Sequence, residues 1–193
     1  MKISKLVLST ASAILLALPA MAQESTWKID SAHSSVNFEI RHLGVSNVHG
    51  AFSGVSGTVV WNEKDVSKSH VESVIDATSV STNNDKRDGH LKSPDFFDVE
   101  KNPTLTFKST SVKRVKGKLQ LVGDLTLAGQ TKSVTLDVDG PSAPQNGQGG
   151  KIISGFSASG ILKRSDFGFG AKFAPPTLGD EVKFTIDLEV DKQ

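Results

Sequence analysis

Cysteine is missing from all 193 positions, and its absence removes disulfide, thiolate and cysteine–zinc chemistry together. Charge of one sign is missing as well. The chain has 22 Lys and Arg against 21 Asp and Glu, so it lacks the strongly basic face that nucleic acid demands. Long apolar runs are scarce, and the main one, Leu6 to Leu18, is broken only by small hydroxyl residues. It is too short to cross a bilayer as a helix, which takes about 20 residues. Lys2 and Lys5 precede it, and Pro19 leads into Ala20-Met21-Ala22, an A-x-A cleavage pattern. Residues 1–22 therefore read as a secretory signal cut between Ala22 and Gln23, with residues 23–193 as the mature domain. No cysteine follows the cut, which excludes a lipoprotein anchor. Without Lys2 and Lys5 the mature 171 residues carry 20 basic and 21 acidic side chains, and their length suits one domain. A domain exported without disulfides relies on its packed core, and a bacterial periplasm is its natural compartment.

Period-two alternation dominates what remains. Val36, Phe38 and Ile40 share one face, while Asn37, Glu39 and Arg41 take the other. The beat recurs in Leu105/Phe107, in Leu119/Leu121/Leu125/Leu127 and in Val134/Leu136/Val138. It closes with Val182/Phe184/Ile186/Leu188/Val190. Strands with one apolar and one wetted face are implied. Turn signals separate them, and "GPSAPQNGQGG" (140–150) is a flexible low-complexity loop. About eight strands are expected, with Val45 to Trp61 bending through two of them. Only residues 83–92 suggest a short helix, capped by Thr82 or Asn83. The fold class is all-β: a single antiparallel eight-stranded barrel, which removes exposed sheet edges. A two-sheet sandwich predicts the same alternation.

Catalytic signatures are weak. Asp166-Phe167-Gly168 resembles the magnesium-binding tripeptide of kinases, but the glycine-rich loop, strand lysine and His-Arg-Asp loop that accompany it are missing. "GVSG" (54–57) lacks the spacing of a serine-hydrolase elbow. The five histidines, His33, His42, His49, His70 and His90, show no paired metal-ligand spacing. No catalytic residue, metal site or cofactor is expected. The basic cluster Lys113, Arg114, Lys116 and Lys118 reads as a solvated turn, with transient contact to anionic lipid headgroups as the alternative.

Four stretches carry a resemblance: "WKIDSAHSSVNFEIRHLGVSNVHGAF" (27–52), "DGHLKSPDFFDVEKNPTLTF" (88–107), "GDLTLAGQTKSVTL" (123–136) and "RSDFG" (164–168). In order along the mature chain they resemble the YceI-like family of periplasmic polyisoprenoid-binding proteins. Ala128 and Asn102 depart from the family pattern. The resemblance implies a lipocalin-like barrel that carries a long isoprenoid-type lipid, a polyprenyl phosphate or quinone-like molecule. It also leaves a homodimer open. Parity places Val36, Phe38, Ile40, Phe52, Leu105, Phe107 and Phe184 in the tube. Phe96, Phe97, Phe167 and Phe169 would close its ends or line its entrance, and His42, His90, Arg164 and Asp166 would form a polar mouth. Arg164 and Asp166 are expected to pair, and Phe167 and Phe169 to share a face. The alternatives are an enzyme acting on such a lipid and a solid-core, stress-related interaction protein.

Overall fold

The alternation becomes eleven strands in a computed structural model that describes residues 24–193; the expected signal sequence and its cut at Ala22–Gln23 lie outside the described residues. In chain order the strands are β1 (Glu24–Ile29), β2 (Ser35–His42), β3 (Ser46–Phe52), β4 (Val55–Asn62) and β5 (His70–Asp76). They continue as β6 (Thr104–Val115), β7 (Lys118–Leu127), β8 (Gln130–Asp139), β9 (Gln145–Asn146), β10 (Ile152–Lys163) and β11 (Leu178–Lys192). Eight of them close a ring in the order β11-β1-β4-β5-β6-β7-β8-β10 and back to β11, every neighbour antiparallel.

The three extra strands explain why the alternation suggested fewer. β11 is long enough to serve two partners along one edge. β1 pairs with Val190–Lys192, and β2 pairs with the stretch from Leu178 to Asp187. The β2–β3 hairpin thus continues the wall above short β1, and Ala51 bridges to Ser81 at its outer edge. β9 is only two residues long. Val45 to Trp61 does bend through two strands, β3 and β4.

The helix α1 (Asp85–Lys92) falls in the expected segment, but its cap is Asn84 rather than Thr82 or Asn83: the Asn84 side chain accepts from the Arg87 N–H at 3.0 Å. Thr82 is instead buried. Its N–H donates to Asp88 at 2.8 Å, while the Arg87 guanidinium donates to its hydroxyl at 2.7 Å and to its carbonyl at 2.8 Å.

"KRSDFGFG" ends β10, and here strand parity stops. Residues Arg164–Phe167 form a 3₁₀ turn terminated by Gly168 at φ 62°. Arg164 is turned inward and only 4% exposed. All five of its N–H donors reach backbone carbonyls. Nε donates to Gly179 at 2.8 Å, Nη1 to Phe169 and Gly170 at 2.9 Å each, and Nη2 to Phe173 and to Leu178 at 3.0 Å. The expected Arg164–Asp166 pair does not form. Asp166 faces solvent, because a 3₁₀ turn does not keep residues two apart on one side. The guanidinium clasps the loop 168–178 to the barrel by carbonyls alone.

At the β1–β2 corner, Asp30 accepts from the Ala32 N–H at 2.8 Å and lies 3.1 Å from His33 Nδ1, with Glu189 3.6 Å from the same nitrogen. The hydrogen bond that the His33 ring donates to Asp30, then the charge of Glu189, raises the His33 pKa above 6.5, and the same bond lowers that of Asp30.

Two outcomes follow from these geometries. Arg164→Met should lower the unfolding free energy by at least about 3 kcal/mol, read as a lower denaturant midpoint at unchanged slope, since it strands buried carbonyls; a loss under about 1 kcal/mol would show that they find other partners. For His33, raised pKa means that its stabilising contribution is complete below the unfolded value and fades as pH rises through the folded one. Its NMR titration midpoint should lie above 6.5 and fall in Asp30→Asn; an unchanged midpoint in that variant would refute the assignment.

Candidate functional site

Closing eight strands over an apolar inner face encloses a cavity of about 440 Å³, a size typical of small-molecule sites. Its wall is built by the inward parity of nearly every strand. Val36, Phe38, Ile40, Phe52, Leu105, Phe107 and Phe184 all border it, as do Phe96, Phe97 and Phe169 near one end. Phe38, Ile40, Val182, Phe184 and Ile186 point inward yet remain only half-buried. Their uncovered surface faces the void rather than bulk solvent. The interior is a hollow tube, not a filled core.

Three phenylalanine rings lie over glycines of the neighbouring strand. Phe38 covers Gly50, Phe107 covers Gly123, and Phe184 covers Gly160. A Cβ at Gly160 would stand 2.5 Å from Phe184 Cζ, and its three nearest contacts would all be atoms of that ring. Each ring rests against bare backbone, so it lies along the wall instead of projecting across the lumen.

The two ends differ. At one end Trp61 meets Phe156 edge-on at 6.0 Å, and the turn Val66–Lys68 packs Val66 against the core. The other end is framed by the β2–β3 hairpin, α1 and the loop 168–178. The exposed residues that border the cavity, His42, Arg87, His90 and Thr177, gather here. Aromatic contacts run from the lumen to this rim. Phe38 meets Phe52 at 5.8 Å, Phe52 meets Phe97 at 5.5 Å, and Phe97 meets Phe169 at 4.6 Å. Phe96 then stacks on Phe173 at 5.2 Å, with the His90 ring edge-on to both. Asp95 secures this cluster by accepting from Lys172 and lying 3.2 Å from His90 Nε2. Lys172 first, and His90 second, hold the Asp95 carboxyl below the ordinary carboxylate range.

Two of the residues expected at the tube lie elsewhere. Phe167 is buried in the core but does not border the cavity, and Asp166 sits on the outer surface. Both follow from the 3₁₀ turn, which separates Phe167 from Phe169. His42 and His90 are at the mouth. Arg164 borders the cavity too, but its donors are committed to the loop. Asp30, His33 and Glu189 bring three potential ligand atoms within 4.8 Å of one another. They lie on the outer wall, away from the tube, and already satisfy one another.

Sequence reasoning missed β10 as part of the lining. Its inward residues are Ser154, Phe156, Ala158, Gly160 and Leu162, too small on average to register as apolar alternation. Phe173 and Arg87 were missed because both sit outside strands. The useful signal was the glycine opposite a phenylalanine, legible only once the strand register is known.

Comparison with known proteins agrees with this geometry. The family model described as "YceI-like domain" matches residues 27–190. Protein YceI of Escherichia coli O6:H1 is 40% identical over 189 residues, covering 98% of this chain and 97% of that protein. The crystal structure of Burkholderia cenocepacia BcnA superposes with a TM-score of 0.72 at 25% identity, covering 83% of this chain and 98% of that one. A solved polyisoprenoid binding domain from Saccharophagus degradans, implicated in plant cell wall breakdown, shares the fold with a TM-score of 0.64 at 18% identity, covering 86% of this chain and 98% of its own. With a closed antiparallel barrel, one short helix among the described residues and a family match across almost the whole described chain, this protein belongs to the YceI-like family.

Proposed function

We propose that this protein binds a long isoprenoid-type lipid, a polyprenyl phosphate or quinone-like molecule, and carries it through the periplasm without chemically altering it. One observation carries the reading: a hollow tube whose wall is almost wholly aliphatic and aromatic, with its polar side chains concentrated at one end. Such a wall has no purpose in a solid-core interaction protein, which would fill the space. Each CH₂ taken from water into the tube contributes about 0.8 kcal/mol, so an isoprenoid tail can be held tightly by its length alone. A few polar groups at the mouth then suffice to orient the head. His42 and His90 are placed to meet it. Arg164 is not, because a head group would have to break its clasp.

The polyisoprenoid-binding domain of S. degradans supports the same ligand class, and the export signal expected over residues 1–22 favours the compartment. A carrier is favoured over an enzyme by the histidines that a general base would require. His33 faces the outer wall, and His42 and His90 stand at the rim rather than over the lumen.

Lipid extraction and mass spectrometry of freshly purified protein should recover an isoprenoid species; the absence of any co-purified lipid together with a failure to bind added polyprenyl compounds would sink the proposal. Gly160→Val should push the Phe184 ring into the lumen at a stability cost of about 1–3 kcal/mol. The lipid retained per protein should fall severalfold while the far-ultraviolet spectrum stays that of the barrel. Full loading in this variant would show that Phe184 has room to move elsewhere.

A further inference from the structure

The rim of the tube bears apolar surface that the fold does not use. Between β2 and β3 the chain turns through Leu43 and Gly44, at φ 51° and 69°, and the Val45 N–H closes the turn on the His42 carbonyl at 3.0 Å. Two central residues at positive φ make the mirror-image turn that favours Asn-Gly. A leucine in the first of these places is strained. Burial gives it no return: Leu43 is 53% exposed and Val45 beside it 77% exposed. The Leu43 N–H donates to the Thr177 carbonyl at 3.1 Å, and the Thr177 N–H closes a turn on the Ala174 carbonyl at 3.0 Å, which brings Ala174, Pro175 and Pro176, all exposed, to the side of the tip. These five residues form an apolar crest next to His42, which borders the tube.

The hairpin half of the crest lacks acidic side chains. From Ile40 to Asn62 the sequence contains no Asp or Glu, while the hairpin carries Arg41, His42 and His49. Lys172 stands beside the second half of the crest. Of the carboxylates at this end, Asp95 is engaged by Lys172 and His90, Asp180 by Ser165 and Glu39 by Lys183, while Glu181 lies exposed at the start of β11. An apolar crest whose hairpin half carries Arg41 and no carboxylate suits the surface of an anionic bilayer, where apolar side chains enter the acyl boundary and cations meet headgroups. The basic turn Lys113–Lys118 is at the other end of the barrel, since β6 starts beside the mouth loops and runs away from them. Contact there would point the mouth away from the lipid.

We infer that the Leu43–Val45 hairpin tip, together with residues 174–176, docks the tube mouth onto an anionic bilayer, so that a tail passes between membrane and barrel without crossing water. The inference rests on the reading that the tube holds a lipid, and it moves the membrane contact from the basic turn to the mouth.

Sedimentation with vesicles of phosphatidylcholine, alone or mixed with phosphatidylglycerol, tests it. The protein should pellet with the mixed vesicles, and less so at high salt. Leu43→Asp combined with Val45→Asp should weaken this binding about tenfold or more. Ile152→Asp, the same chemical change at an exposed residue of the opposite end, should leave it intact. Leu43→Asn should raise the melting temperature by relieving the turn, yet weaken docking. A merely structural role for Leu43 would not move those two readouts in opposite directions. Wild-type protein that stays in the supernatant with both vesicle types overturns the docking surface, as does undiminished binding by the double variant. Mass spectrometry of bound lipid reads the tube separately: a loaded protein that never pellets removes only the docking surface.

Discussion

A barrel of eight strands has an interior just wide enough for its own side chains to fill it, so a hollow one needs a device that keeps them out. Here that device is the seating of phenylalanine on glycine. Phe38, Phe107 and Phe184 belong to different strands, and each covers a backbone that lacks a Cβ. Bulk is thereby kept in the sheet plane, where it shields ladder hydrogen bonds, and out of the lumen. The cavity and the wall are consequences of one arrangement. Adding a methyl group at one of these glycines would thicken the wall and narrow the tube together.

Hollowness has a thermodynamic consequence. Inward-facing apolar surface that touches nothing forgoes both burial and dispersion energy. A ligand that fills the space restores both, and because it binds only the closed barrel it stabilises the fold by mass action. The empty protein is accordingly less stable than its strand ladder suggests. Rigidity at the entrance must come from elsewhere, and it comes from polar groups committed to backbone. Arg164 commits every donor to carbonyls between Phe169 and Gly179, while Arg87 and Asp88 hold Thr82. These two clusters hold the mouth in shape without a contribution from the lining of the tube.

The strands were legible in the sequence wherever inward residues were large. Val36/Phe38/Ile40 and Val182 to Val190 announced their faces, and the barrel followed from having many such strands with edges to hide. β10 was illegible for the complementary reason. Its inward face had to be small to receive Phe184, so the hydrophobic beat that reveals a strand was absent where its partner was strongest. The mouth was read less well than the wall. Phe96, Phe97 and Phe169 were placed there, but Phe167 was carried along by a parity rule that a 3₁₀ turn suspends. Arg164 was assigned a carboxylate because charged residues two apart suggest a pair. Its true partners are main-chain carbonyls, which sequence does not distinguish from any others.

"RSDFG" shows how such a segment earns its residues. Gly168 at φ 62° ends the turn. Gly170 brings its backbone against the Phe96 ring and within reach of Arg164. The aspartate, the residue that first suggested a metal, is the member with the least to do in the fold. Arg164 and the two glycines instead fold the loop back over the barrel end. That fold sets Phe169 and Phe173 into the aromatic row and brings Thr177 to the β2–β3 tip. A single buried guanidinium therefore connects the end of β10 to the entrance of the tube, and the mouth exists because its charge is spent on holding a loop rather than on a ligand.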